Sequence, residues 1–229
     1  MTPVYEGEVL HVIPMEKGII ITYCENRTDT QITAAFKMIS FETRKITNVA
    51  KNIYQLSKFG AGYKAFCTQV NNYFTCKTVP LPSEKMIIME LNGDLKLLDT
   101  DSTVLWTGKL LYKNAPPTGI ALFENKLWTC YPEHNVLIRY NINTMREELR
   151  IGGGSNSPFI QPTDIFIKGN CGYICNTGSL QILKVDLNSY ILEVYEEFTK
   201  PVKQYLEVDG YRFAVMNDGV YLLDKTRDD

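Results

Sequence analysis

Apolar and polar positions along the chain follow the pattern of short strands. No stretch holds an i, i+3, i+4, i+7 apolar pattern for three turns, and Asn52 to Phe59 comes nearest. Short β-rich runs recur instead, punctuated by Gly, Asn, Asp and Pro. That is the pattern of an all-β sandwich, barrel or propeller.

Internal repeats decide among these. A run ending in a sulfur residue occurs as Ile19–Cys24, Tyr73–Cys76, Leu127–Cys130 and Gly172–Cys175, and a fifth copy is Arg212–Met216. A turn after an apolar run occurs at Ile39–Arg44, Leu97–Ser102, Arg139–Thr144, Lys184–Ser189 and Leu222–Arg227, with Asp or Asn in the last four. Asp and Asn suit these turns because their side chains bond nearby backbone N–H groups. Proline leads a third set: Pro117–Ala121, Pro162–Phe166 and, more loosely, Pro201–Tyr205.

The markers keep one order: proline turn, strand, short turn, sulfur-ending strand, loop, strand, Asp/Asn turn, strand. The reading is one domain over 1–229, a five-bladed β-propeller of four-stranded antiparallel blades. Its blades fall at about 11–55, 56–112, 113–157, 158–200 and 201–229 plus 3–10. The fifth repeat stops after the turn that should introduce its fourth strand, while Pro3–Leu10 is a spare strand-like segment. That segment is expected to complete the last blade and remove an open edge.

Residues Ile151–Gly154, Phe159–Ile165, Gly172–Cys175 and Leu180–Asp186 together resemble an NHL-type propeller repeat. Gly93–Asp99 with Val104–Trp106 looks more like the repeat of quinoprotein-type propellers. The NHL-like match runs over about 112–224, and residues 11–110 match in outline. Both resemblances imply a fold and, by themselves, no function.

Composition narrows the function classes. The 229 residues are 45% apolar, 22% charged and 11% aromatic, enough to bury a core. With 24 basic against 26 acidic residues, net −2, the chain has no general attraction for nucleic acid or an anionic membrane. No apolar run approaches the roughly 20 residues of a spanning helix. The N-terminus carries no basic and apolar leader pattern, so the expected location is the cytoplasm.

Six cysteines stand at 24, 67, 76, 130, 171 and 175. Four hold equivalent places in the repeat, which reads as a small, buried, apolar position rather than a disulfide or zinc framework. Only His11 and His134 could join them as imidazole ligands. The loops after the sulfur-ending strands and the proline turns belong on one face, where propellers bind ligands around an axial funnel. Candidate ligand-binding residues there are Thr118, Glu133, His134, Thr163, Asp164, Asn176, Asn217 and Asp218. The alternative reading of these residues is turn chemistry.

His134 beside Glu133 is the one pairing with acid/base character, and it lacks a visible partner. Asp164 and Asn176 resemble part of the metal set of senescence-marker-type lactonases, but the glutamate expected near the chain start has no counterpart. No catalytic residue, metal or cofactor is therefore assigned. Gly152–Ser157 lacks the GK[ST] ending of a phosphate loop and reads as a flexible connection. The leading reading is a non-enzymatic module that binds a protein or peptide through its loop-rich face. A small-molecule or glycan-binding propeller is the alternative, and a metal-dependent hydrolase or lyase the third. Converging carboxylates would favour the enzyme, an aromatic cleft the lectin, and an exposed apolar rim the protein binder.

Overall fold

A computed structural model describes residues 1–28, 32–41, 43, 45–49, 77–81, 85–101 and 103–225. Among them run β1 (Thr2–Glu6), β2 (Val9–Met15), β3 (Gly18–Arg27), β4 (Ile32–Ser40), β5 (Ile46–Asn48), β6 (Lys77–Pro80) and β7 (Met86–Met89). Then come β8 (Asp94–Leu98), β9 (Val104–Lys109), β10 (Gly119–Phe123), β11 (Lys126–Tyr131), β12 (Val136–Asn141), β13 (Glu147–Gly152) and β14 (Pro162–Lys168). The chain continues through β15 (Cys171–Asn176), β16 (Gln181–Asp186), β17 (Leu192–Glu197), β18 (Val202–Val208), β19 (Tyr211–Met216) and β20 (Gly219–Lys225).

These strands form five four-stranded antiparallel sheets. Four are meanders: β2-β3-β4-β5, β6-β7-β8-β9, β10-β11-β12-β13 and β14-β15-β16-β17. The fifth has the order β1-β20-β19-β18. This is the all-β, five-bladed propeller architecture that the repeats predict. Contacts divide the chain into two compact units, Met1–Thr75 with Gln204–Asp229, and Cys76–Lys203.

The marker residues explain the sheets. In two of the sheets the third and fourth strands are joined by Asx turns. Asp186 Oδ1 accepts from the backbone N–H of Asn188 at 2.9 Å and of Ser189 at 2.7 Å. Asn141 Oδ1 does the same for Asn143 and Thr144. Each turn then leans on the hairpin that joins strands one and two. Ile142 N–H donates to the Asn125 carbonyl, Leu187 N–H to that of Asn170, and Phe41 N–H to that of Lys17. Three sheets thus share one backbone contact between turn and hairpin.

Middle strands are buried on both faces. In β11, Leu127 and Tyr131 pack into a cluster with Ile87, Leu95 and Ile120. The alternate residues Trp128 and Cys130 pack the other way, with Phe159, Ile165 and Ile174. The period of two sends successive side chains to opposite faces, so β11 stands between its neighbours in the Cys76–Lys203 unit. Cys130 and Cys175 are buried and Cys24 and Cys171 are half-buried; all four are thiols. Cys67 and Cys76 lie outside the described residues, as do Asn52 to Phe59.

Three assignments change. The second place of the β6–β9 sheet belongs to Met86–Met89, not to Tyr73–Cys76, which lies largely before that sheet and outside the described residues. Met89 pairs with Lys77 as Cys130 pairs with Gly119, so the buried sulfur position is kept by a methionine. Next, β3 runs beyond Cys24 to Arg27, which pairs with Ile32, so Glu25, Asn26 and Arg27 are strand rather than loop. Finally, β1 alone completes the last sheet, with Thr2 opposite Leu222 and Glu6 opposite Gly219. Val9 and Leu10 already belong to β2, where Val9 pairs with Tyr23.

Gly219 is required at that junction, because a Cβ there would stand 2.4 Å from the Tyr5 carbonyl oxygen. Tyr5 packs against Tyr23 at 5.6 Å between ring centroids, and the Lys37 ammonium lies over both rings. Deleting residues 1–7 removes this strand and bares the β20 edge. The expected loss is about 2–5 kcal/mol, from a few ladder hydrogen bonds at roughly 0.5–1.5 kcal/mol each plus apolar burial. Urea unfolding measures it; a deletion variant as stable as the parent would mean that β1 is dispensable.

Candidate functional site

The candidate residues of the Cys76–Lys203 unit occupy the ends of the sheets where β10 and β14 begin. Glu133 and His134 lie on a 3-10 turn, Pro132–His134, closed by Asn135 in the left-handed conformation at φ 51°. Glu133 is exposed. The His134 ring meets Tyr112 edge-on at 5.3 Å, and its Nε2 is buried with no hydrogen-bond partner among the described residues.

The others are tied into the fold. Thr118 Oγ1 donates to the Thr163 carbonyl at 2.8 Å. Thr163 Oγ1 lies 2.6 Å from Thr177 Oγ1 and donates to the Lys203 carbonyl at 3.1 Å. Asn176, fully buried, accepts from Ile160 N–H at 2.7 Å and donates to Ser179 Oγ at 2.6 Å. The glycine loop is also held. Gly152 and Gly153 adopt φ 82° and 84°, Gly153 N–H donates to the Asn135 carbonyl, and Ser157 Oγ donates to that same oxygen. It is a tied connection, not a flexible one. In the other unit, Asn217 and Asp218 are exposed in the β19–β20 turn, and their carbonyls accept from Val9 N–H and Gly7 N–H.

Asp164 is the exceptional member. It is 7% exposed. Its Oδ2 accepts from Lys77 Nζ at 3.2 Å. Lys77, Gly119 and Asp164 hold one equivalent place in β6, β10 and β14, opposite Met89, Cys130 and Cys175. The middle one is glycine for a steric reason: a Cβ on Gly119 would sit 2.6 Å from the Asp164 Cα and 2.7 Å from its Oδ1. An alanine there would collide with the carboxylate that Lys77 reaches.

Burial raises the Asp164 carboxyl above its ordinary value of 3.8, and the Lys77 ammonium pulls it back only in part. Burial also pushes the Cys130 thiol well above its usual range; the Asp164 charge adds to this and Lys77 opposes it. Cys130 is therefore a protonated, unreactive thiol at neutral pH. Among the described residues, no group of three or more His, Cys, Asp or Glu stands close enough to hold a metal ion.

A second feature lies at the opposite ends of the same sheets, and the sequence reading missed it. A groove of about 410 Å³ opens between the β6–β9 and β10–β13 sheets. Leu81, Ile87, Leu97 and Trp106 line one side, and Leu122, Ile142 and Met145 the other. The exposed residues Glu124, Asn125, Asn143 and Thr144 complete it. Glu124 holds φ 53° in its hairpin turn, where the next sheet has Gly169 at φ 55°. A non-glycine residue in that conformation costs roughly 1–2 kcal/mol. The Glu124 carboxylate has no hydrogen-bond or ion-pair partner among the described residues.

The groove borders β9, an outer strand whose residues Val104, Leu105 and Trp106 are 49%, 46% and 39% exposed. Trp106 folds over Gly108, where a Cβ would lie 2.2 Å from the indole. Other outer strands differ. β13 carries Glu147, Glu148 and Arg150, and β17 carries Glu193, Glu196 and Glu197. Charge and shortness are how sheets protect free edges, and β9 has neither before Lys109. The signal was present in sequence as an uncharged Val-Leu-Trp-Thr-Gly run in the fourth-strand slot.

Lys77→Met leaves Asp164 buried beside an apolar neighbour. The expected loss at pH 7 is about 3 kcal/mol, the lower end of the range for breaking a buried pair because Lys77 is a quarter exposed. A carboxyl whose folded value is raised stabilises fully below its unfolded value and loses that contribution as pH rises through the folded value. The deficit should therefore shrink as pH falls towards 3.8 and Asp164 takes up its proton. Urea titrations of both proteins at several pH values check this; a pH-independent deficit would mean that Lys77 acts through packing alone.

No protein-family profile matches the chain, and no curated protein matches it. Two solved structures are similar to part of it. One is the hydrazine synthase of Kuenenia stuttgartiensis, at 14% identity and a TM-score of 0.46, over 64% of this chain; the chain spans only 48% of that protein's length. Another is the computationally designed Ika4 protein, at 13% identity and a TM-score of 0.47, over 65% of this chain and 89% of that one.

Proposed function

We propose that this chain is a non-enzymatic binding module whose partner is a protein or peptide, and that the β9 edge with its adjoining groove is the principal docking surface. The observation that carries the reading is the run of three exposed apolar residues, Val104–Trp106, on an uncharged outer strand beside an apolar groove. Apolar surface of this kind, rimmed by polar residues, is characteristic of interaction sites. In the Cys76–Lys203 unit the loop-bearing end is the second surface: Glu133 is exposed there, while Thr118, Thr163, Asp164 and Asn176 are bonded into the fold.

The NHL-type kinship of residues 112–224 belongs to the same reading. It is supported by Gly152 and Gly153 in the left-handed region, by the buried Phe159, by Pro162 opening β14 and by the Asp186 turn. A cytoplasmic location is likewise part of the proposal, supported by the four described thiols. A second reading, a glycan or small molecule in the groove, is favoured by Trp106 standing with Asn125 and Asn143 in its lining.

A photo-crosslinking residue at position 105 in cells is expected to give a discrete protein adduct that the same residue at position 193, on the charged β17 edge, does not give. Identical adduct patterns at the two positions would sink the choice of surface. Protection of Trp106 fluorescence from quenching by simple glycans, with no protein adduct, would favour the second reading.

A further inference from the structure

We infer that β9 is a docking edge for strand addition, and that the occupant is an extended peptide segment of a partner that carries an apolar anchor and a basic residue. This rests on the binding-module reading above and names the partner's chemistry.

The argument begins with backbone. Among the described residues β9 is paired on one side only, by β8, so its other edge presents N–H and C=O groups with no partner strand among those residues. An extended peptide satisfies them without demanding a particular sequence. Side chains then supply selectivity. In an antiparallel or parallel ladder, a residue on the added strand points to the same face as the β9 residue beside it, with Cβ atoms about 5 Å apart. The neighbour of Trp106 therefore faces the groove that Trp106 lines, at the lip of a cavity of about 410 Å³ walled by Leu97, Leu122 and Met145. A leucine or phenylalanine side chain fits a space of that size and chemistry.

Charge fixes the rest of the occupant. On this sheet Lys109 pairs with Asp94 at 3.1 Å and Lys96 with Glu90 at 2.6 Å. Within the groove lining the one charged residue is Glu124, and its charge is negative. A lysine or arginine on the incoming strand complements it, whereas an acidic residue would meet like charge in a partly desolvated place. The occupant is thus apolar and basic, matching an edge that lacks the carboxylates of β13 and β17.

The test uses the full chain and three capped heptapeptides that alternate valine and threonine around a central phenylalanine. One ends in lysine at both termini, one in glutamate, and the third is the lysine peptide N-methylated at alternate residues. Trp106 fluorescence and calorimetry at low salt read binding. The lysine peptide is expected to bind at least about tenfold more tightly than the glutamate peptide, a difference of roughly 1.4 kcal/mol. Glu124→Gln should bring that ratio to within about twofold, and N-methylation should abolish binding.

Undiminished binding of the N-methylated peptide would overturn strand addition while leaving the groove as a protein site. Equal binding of lysine and glutamate peptides would overturn the basic partner. Self-association of the chain in sedimentation, lost in Leu105→Lys, would assign the edge to a second copy instead. If no peptide binds and the photo-crosslinker at 105 finds no protein, the binding-module reading itself fails.

Discussion

Strands such as Lys126–Tyr131 are apolar on both faces, and everything else follows from the need to cover both. Leu127 and Tyr131 take one side and Trp128 and Cys130 the other, each fully buried. Burying side chains of this size is worth roughly 1.5–3 kcal/mol apiece, so a four-stranded sheet left alone would forfeit many kcal/mol on each face. The solution is to stack sheets face to face, as β6–β9, β10–β13 and β14–β17 do in their unit. In the other unit, β2 meets β19, Phe41 stacks on Phe213 at 5.5 Å, and Gln204 bonds the Val12 backbone in both directions.

Stacking crowds the first strands of successive sheets, and that crowding explains the Lys77–Gly119–Asp164 arrangement. Side chains at this level must be small or must answer one another. Glycine in the middle sheet clears the path, and lysine and aspartate answer across it. The carboxylate gains an ion pair and a backbone hydrogen bond from Ile165, yet burial still leaves it less acidic than in water. A buried pair of this kind adds little net stability, although removing one partner from it is costly.

At the outer strands the constraint relaxes, and the sheets diverge in chemistry. β13 and β17 are studded with glutamates that keep other chains away, and β5 is only three residues long. β9 instead presents valine, leucine and tryptophan beside a groove held open by two turns. One turn contains Glu124 in a conformation that suits glycine, and the other ends in Met145 at φ 53°.

The sequence by itself determined the architecture. Period-two burial, Asx turns at Asp186 and Asn141, prolines before inner strands and sulfur residues at the ends of second strands are all local rules, readable without knowing what packs where. Even the completion of the last sheet by Thr2–Glu6 could be counted from strands in surplus and deficit. What the tertiary structure alone decided is which residues meet. Lys77 and Asp164 are 87 positions apart and come together only because Gly119 stands between them. The groove draws on turns and strands from two sheets, from Leu81 to Met145, and no local pattern announces it. The polar loop residues that looked like a site from sequence differ in kind once folded: Thr163 and Asn176 turn inward to hold the chain, and Glu133 faces solvent. Local propensity is a property of neighbours along the chain, whereas a surface is made by neighbours across it.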